Sequence, residues 1–299
     1  MYKKILYPIK FEEFSLDILS CILNFKKAGT EEIILLHVID VTKLPMDKFE
    51  GLDPEDIQRL TTIANTRMEE AINMIIKAGL SAKKRIEVGI PYREILRVAK
   101  EEAVSLIVSG RQKKSLLDEI FIGSNTDKII RYGNYPVFIP KYPGVFGGDR
   151  EACERYCSNP FAKVLYPTDW SACAKRALLY LKNLKNAGVD EVIVVHVMEE
   201  KLKKHLPQDK FKDLESIDKE KLAQVKEELE QNGFKVKTIL YVGKPGADLI
   251  KLAKEEDVTL IIMGAHGKGF VEGILWGSVS RNVVEYSDRP VLLIKGENC

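Results

Sequence analysis

Residues 264–280, GAHGKGFVEGILWGSVS, hold the clearest capacity for chemistry in this sequence, which is the capture of an anion. Glycines there can adopt positive φ and let the backbone approach a ligand closely. Successive exposed N–H groups followed by a helix start make an electropositive cradle suited to phosphate. Gly277-Ser278 stands where that helix begins, so Ser278 offers both a hydroxyl and an amide. Two familiar phosphate loops are excluded by spacing. A Walker A loop has four residues between its glycines and then Lys with Ser or Thr, whereas Gly264 and Gly267 enclose two and Gly269 follows Lys268. The dinucleotide fingerprint fails because His266 occupies its second glycine.

The other reactive side chains are less suggestive. His37 and His196 recur at one strand position in two matching segments, which reads as structural. His266 lies in the loop and can reach a phosphate or ribose, while His205 sits in the charged stretch KLKKHLPQDK and reads as solvated. Cys153 and Cys157 are spaced i, i+4 with no neighbouring His, so a metal site is not expected. No nucleophile–base pair or paired carboxylates stand near the loop. Ligand binding is better supported than catalysis, and no catalytic residue is assigned.

The elements that must position the loop occur twice. KKILYPIKF at 3–11 returns as AKVLYPTDW at 162–170, and EEIILLHVID at 31–40 returns as DEVIVVHVME at 190–199, both at an offset of 159. Residues 83–110 return as 235–264, and NYPVFIP at 134–140 as DRPVLLI at 288–294, with the offset now 154. Such repetition is the mark of a duplicated unit. Each copy alternates strands with helices: in the second, KVLYP, a helix closed by Gly188, VIVVHVM, a charged amphipathic helix near 209–232, KVKTILYV, a helix from Pro245, TLIIMG, the glycine loop, a short helix and PVLLI. The charged helices near 53–79 and 209–232 read as solvated faces. Five strands separated by helices predict α/β architecture, two tandem doubly wound, five-stranded parallel-sheet domains of Rossmann-like form. The predicted domains are 1–141 and 161–299, with a Gly- and Pro-rich linker at 142–160.

Composition narrows the function further. The chain has 299 residues, ample for two cores, and carries 46 basic against 44 acidic residues, which leaves no electrostatic footprint for nucleic acid or an anionic membrane. No apolar run approaches a membrane span, and the charged start has no signal-peptide pattern. Five scattered cysteines read as a reducing cytoplasm rather than a disulfide framework.

The pattern G-x2-G-x9-G-[ST] is met by Gly264, Gly267, Gly277 and Ser278, with PTDWS after the first strand and VVHVM in the second. With these motifs the sequence resembles the universal stress protein family, and its ATP-binding branch in particular, across both halves. The adenine nucleotide alpha hydrolase-like fold comes with that resemblance. It implies that Asp169 accepts from the adenine edge, with Pro167 and Thr168 beside it, and that Val197 lines the adenine pocket. Met263 and Gly264 would lie near the ribose, and Gly267, Gly277, Ser278 and Val279 would bind phosphates. ATP, or AMP or ADP, is the expected ligand, with Mg²⁺ or Mn²⁺ as counterion. Last-strand pairing within the chain would make a pseudo-dimer, and further association to a homodimer is implied. The first copy departs at two positions: Lys113 replaces the second glycine, where a side chain resists positive φ and crowds the phosphates, and Lys10 replaces Asp169. It is read as a degenerate site, with Lys10, Arg111, Lys113 and Lys114 able to form a basic pocket for another anion. A regulatory, stress-response role follows from the resemblance; the alternative is a slow ATPase or adenylate-handling enzyme on the same scaffold.

Overall fold

The structure, a computed structural model, describes residues 1–11, 15–43, 54–110, 123–141, 158–267 and 276–296. The first half runs β1 (Lys4–Pro8), α1 (Ser15–Leu23), β2 (Glu32–Asp40), α2 (Pro54–Lys77), β3 (Ser81–Gly89), α3 (Pro91–Glu101), β4 (Leu106–Val108), α4 (Ser124–Tyr132) and β5 (Val137–Ile139). The second half repeats it as β6 (Lys163–Pro167), α5 (Ala172–Lys182), β7 (Glu191–Glu199), then a short α6 (Glu200–His205) and α7 (Gln208–Gln231). It closes with β8 (Lys235–Gly243), α8 (Pro245–Glu255), β9 (Leu260–Gly264), α9 (Ser278–Tyr286) and β10 (Val291–Ile294).

Local chemistry explains the boundaries. Ser171 caps α5 by accepting from the Ala174 amide at 3.2 Å, and the segment after α5 ends at Gly188 with φ +95°, the left-handed turn a glycine makes without strain. Pro91 and Pro245 open α3 and α8, where a missing N–H is harmless. Strand interiors are apolar on both sides. Ile33, Leu35, Val192 and Val194 enter one core layer, while Ile34, Leu36, Ile193 and Val195 enter the layer on the opposite face. This alternation is how a parallel sheet covered on both faces buries a continuous apolar run.

The two five-stranded sheets join edge to edge through the last strand of each half, the pairing expected of a pseudo-dimer within the chain. The strand order is β3-β2-β1-β4-β5-β10-β9-β6-β7-β8. Within each half all pairings are parallel, and the seam between them is antiparallel, with Val291, Leu292 and Leu293 opposite Ile139, Phe138 and Val137. Last-strand edges that would otherwise be exposed are thereby paired within the chain. The Tyr2 hydroxyl donates to the Tyr180 carbonyl at 3.0 Å across the halves, and Phe25 packs edge-on against Phe138 and Phe161.

The seam is also held by two crossed lysines. Buried Lys141 donates to the Val284 carbonyl near the end of α9, and buried Lys295, its counterpart at offset 154, donates to the Ile130 and Arg131 carbonyls near the end of α4. A cation there meets the negative end of a helix dipole. One departure from the sequence reading concerns cysteine: Cys21 is disulfide-bonded, while Cys173 is buried in the core. Sequence spacing does not report which distant residues meet. The linker expected at 142–160 lies mostly outside the described residues, as do Cys153 and Cys157. Among the described residues no helix is long and apolar enough to cross a membrane.

Candidate functional site

In each half strand order reverses between the first strand and the fourth, and a cavity opens beyond their carboxyl ends, as expected for doubly wound sheets. The cavity of the second half has a volume of about 850 Å³. It brings together every site residue named from the sequence: Pro167, Thr168 and Asp169 after β6, Val197 in β7, Met263 and Gly264 ending β9, His266 and Gly267 beyond it, and Gly277, Ser278 and Val279 opening α9.

The loop after β6 is rigid by its own chemistry. Thr168 Oγ1 accepts from the Trp170 amide at 3.2 Å, and Asp169 Oδ1 accepts from the Ser171 amide at 3.1 Å. These turns hold Trp170 at φ +67°, a strained region for a bulky residue. Asp169 therefore braces the entry to α5 without being its N-cap, and its other oxygen, Oδ2, faces Gly267. A Cβ on Gly267 would stand 2.5 Å from that oxygen. Gly264 is hemmed in by backbone as well, since its Cβ would meet Cys173 Cβ at 2.7 Å and Ala174 N at 3.0 Å.

Here one sequence argument is corrected. Among the described residues the positive-φ glycines are Gly29, Gly79, Gly89, Gly188 and Gly233, and Gly264, Gly267 and Gly277 are not of that kind. These glycines are required by close approach rather than by backbone angle. The strain argued for Lys113 therefore has no basis in the geometry of its counterpart, and the crowding argument alone remains; Lys113 itself lies outside the described residues, with Arg111, Lys114, Lys268 and Gly269.

Gly277 is the N-cap of α9 and supplies no side chain to cap it, so the first amides of α9 have no partner inside their helix. Ser280 turns its hydroxyl to the carbonyls of Ala265 (2.7 Å) and Gly277 (2.9 Å), which pins the helix start against the loop. His266 is buried beside this start. Burial, with a smaller push from Lys295, holds its imidazole below the ordinary value, so it is neutral near pH 7.

Sequence reasoning missed two parts of the wall. Trp276 is buried at the cavity and its indole Nε1 has no hydrogen-bond partner among the described residues. Such an atom is costly unless a ligand or water satisfies it. The second part is α7, read as a solvated face. Leu214, Ile217, Asp218 and Lys221 of that helix line the cavity. Asp218 accepts from Trp170 Nε1 at 2.9 Å and faces His196 Nε2 at 3.2 Å, while His196 Nδ1 donates to the Thr168 carbonyl at 2.7 Å. His196 thus positions the loop, as the structural reading expects. The partner on α7 is 48 positions from Trp170, and no local spacing could reveal it. His205 is exposed, its Nδ1 donating to the Lys201 carbonyl.

The first half holds a cavity of about 500 Å³ at the equivalent place, lined by Lys10, Gly110, Gly123 and Ser124 among others. His37 repeats the bracing of His196 through Nδ1 to the Ile9 carbonyl at 3.2 Å.

A doubly wound sheet with a cavity at its switch point, lined by Gly264, Gly267 and the uncapped helix start at Gly277, defines the class. The universal stress protein family model matches residues 1–141 and 160–295. The chain belongs to the universal stress protein family. Universal stress protein MJ0577 of Methanocaldococcus jannaschii is 39% identical over 160 residues, covering 46% of this chain and 97% of its own length. A universal stress protein of Methanothermobacter thermautotrophicus is 30% identical over 135 residues, covering 44% of this chain and 90% of its own. A solved universal stress protein from Archaeoglobus fulgidus aligns over 100% of this chain and 98% of its own, with 27% identity and a TM-score of 0.74.

Proposed function

We propose that the second half binds an adenine nucleotide, one per chain, and that occupancy sets the state of a regulatory, stress-response protein of the cytoplasm. The observation that carries this reading is the convergence of all eleven motif residues on one cavity of about 850 Å³. The residues fit such a ligand. Uncapped amides of α9 and the Ser278 hydroxyl suit phosphates, and the space kept open at Gly267 is one a side chain would fill. On this reading Asp169 accepts from the adenine edge, with Pro167, Thr168 and Val197 lining that pocket, and Met263 and Gly264 lie near the ribose. Trp276 Nε1 and His266 add polar atoms along that path.

Among the described residues no three potential ligands stand together as a metal site. Mg²⁺ or Mn²⁺ would therefore be carried on the phosphates, with at most one or two carboxylates from the protein. On this reading the chain divides into domains 1–141 and 161–299 joined at 142–160. The first domain does not bind ATP, because Lys10 offers adenine a donor where Asp169 offers an acceptor. A homodimer of such chains would be a four-domain assembly.

The test is competition against a fluorescent adenine nucleotide on nucleotide-free protein. Asp169→Ala and Ser278→Ala should each weaken ATP by about tenfold, the value of a lost charge-assisted hydrogen bond. Unchanged affinity in both variants would remove the site from consideration.

A further inference from the structure

The geometry points to His196 as a positioning residue for the ligand loop that acts only while both its ring nitrogens carry protons. Ligand affinity in the second half is thereby coupled to one protonation. The inference rests on the nucleotide reading of that half and adds to it a dependence on pH.

Each nitrogen of this imidazole faces an acceptor. Nδ1 lies 2.7 Å from the Thr168 carbonyl oxygen, and Nε2 lies 3.2 Å from Asp218 Oδ2. A carbonyl can only accept. Asp218 is the acceptor of its own cluster, since Oδ1 takes the Trp170 indole N–H at 2.9 Å and has Lys221 Nζ at 3.5 Å. A neutral imidazole has one N–H and one lone pair, so it serves one of its two partners and turns a lone pair on the other. The doubly protonated ring serves both. The side chains of His196 and Asp218 are 11% and 13% exposed, so water does little to replace a lost bond.

These bonds bear on Asp169. The Thr168 carbonyl belongs to the peptide group that leads into Asp169, and Trp170 follows it. Through Asp218, α7 therefore holds the loop on both sides of that carboxylate. The Trp170 ring closes the cluster, with its centroid 5.0 Å from that of the imidazole. The other charged or titratable groups lining the cavity are Asp169 on the loop, Glu199 ending β7, His266 beyond β9 and Arg281 on α9. On β8 the neighbour of His196 is the apolar Leu240.

The first half supplies the contrast. Helices α2 and α7 begin and end at an offset of 154, which puts Ala64 where Asp218 stands. His37 keeps the bond to a loop carbonyl, that of Ile9 at 3.2 Å, and lies 4.5 Å from the ring of Phe11, the counterpart of Trp170. With alanine in place of the carboxylate, one N–H is enough. Burial, with a smaller push from Arg67, holds the His37 imidazole below its ordinary value. One half therefore keeps a neutral histidine at this strand position and the other a charged one.

The experiment follows the His196 ring by nitrogen NMR in the nucleotide-free full chain. Over the same pH range calorimetry measures Mg-ATP affinity in the parent, Asp218→Asn and Asp218→Ala. In the parent both ring nitrogens should be protonated wherever ATP binds tightly, and affinity should fall about tenfold as rising pH removes one proton. Asn at 218 can accept from Trp170 through its oxygen and donate to a neutral His196 through its amide. Asp218→Asn should therefore keep the affinity of the parent at low pH and hold it as pH rises. Asp218→Ala offers neither bond and should bind about tenfold more weakly at low pH. The terminal phosphate of ATP and His266 also titrate, but equally in parent and Asp218→Asn, so the difference between their pH slopes isolates His196. Equal slopes in those two chains would overturn the proposal, as would a singly protonated ring in the parent where ATP binds tightly. Failure of the nucleotide reading has a separate signature, the absence of ATP binding at every pH, and the coupling falls with it.

Discussion

Gly264 lies so close to α5 that an added Cβ would stand 2.8 Å from the Cys173 carbonyl carbon, and a backbone atom cannot swing aside. Gly264→Ala should therefore cost about 1–3 kcal/mol, read as a lower midpoint in urea unfolding, with the usual penalty of overpacking. Gly267→Ala meets only a carboxylate, which can turn, and should leave that midpoint nearly unchanged while loosening the ligand. Equal losses for the two would contradict the close-approach account. His266 gives a prediction in pH. Its folded-state pKa is held below the ordinary imidazole value near 6.5, chiefly by burial. Between those two values the unfolded chain binds the proton that the folded chain refuses, so stability rises with pH through that window and falls on acidification. His37 has the same sign, again chiefly through burial. His266→Gln should flatten part of the stability–pH slope just below neutrality, and an unchanged slope would refute the assignment. The motif residues were legible because glycine, serine and aspartate at fixed spacing have few other uses. The role of Trp276 was not legible, because an unpartnered indole N–H is a property of its surroundings.

Element boundaries were readable wherever a cap or a proline marks them, as at Gly188 and Pro245. What the helices touch was not. The charged pattern of α7 describes its solvent face correctly and hides the stripe that lines the cavity, where Asp218 ties Trp170 and His196 together. Asp218→Ala should leave the Trp170 indole N–H without its acceptor, costing about 1–3 kcal/mol and changing Trp170 fluorescence. The lysines that close the ends of α4 and α9 were equally invisible, because their partners lie in the opposite half. Lys295→Met keeps the aliphatic stem and loses the charge-assisted bonds to Ile130 and Arg131. A loss of about 1–3 kcal/mol is expected, and a neutral result would mean water replaces the ammonium without penalty.

At the scale of the molecule, duplication showed in the sequence as blocks repeating in order, and the joining of the two sheets was expected only through the resemblance, as last-strand pairing within the chain. Strand pairing across β5 and β10 is a matter of three facing residues on each side, a length at which apolar sequence says only that both are buried. The halves share one sheet, and on each face of it one core layer draws residues from both. The chain should unfold in a single transition that saturating Mg-ATP raises as a whole, by about 2.7 kcal/mol at 100 times Kd. Two separated transitions, with only one moved by ligand, would mean the seam is weak. The asymmetry between the halves is the central claim, and calorimetric titration of nucleotide-free protein with Mg-ATP measures it most directly. The account predicts one ATP per chain, abolished by Gly267→Lys and retained in Lys10→Ala; two equivalent sites, or a single site that survives Gly267→Lys, would contradict it.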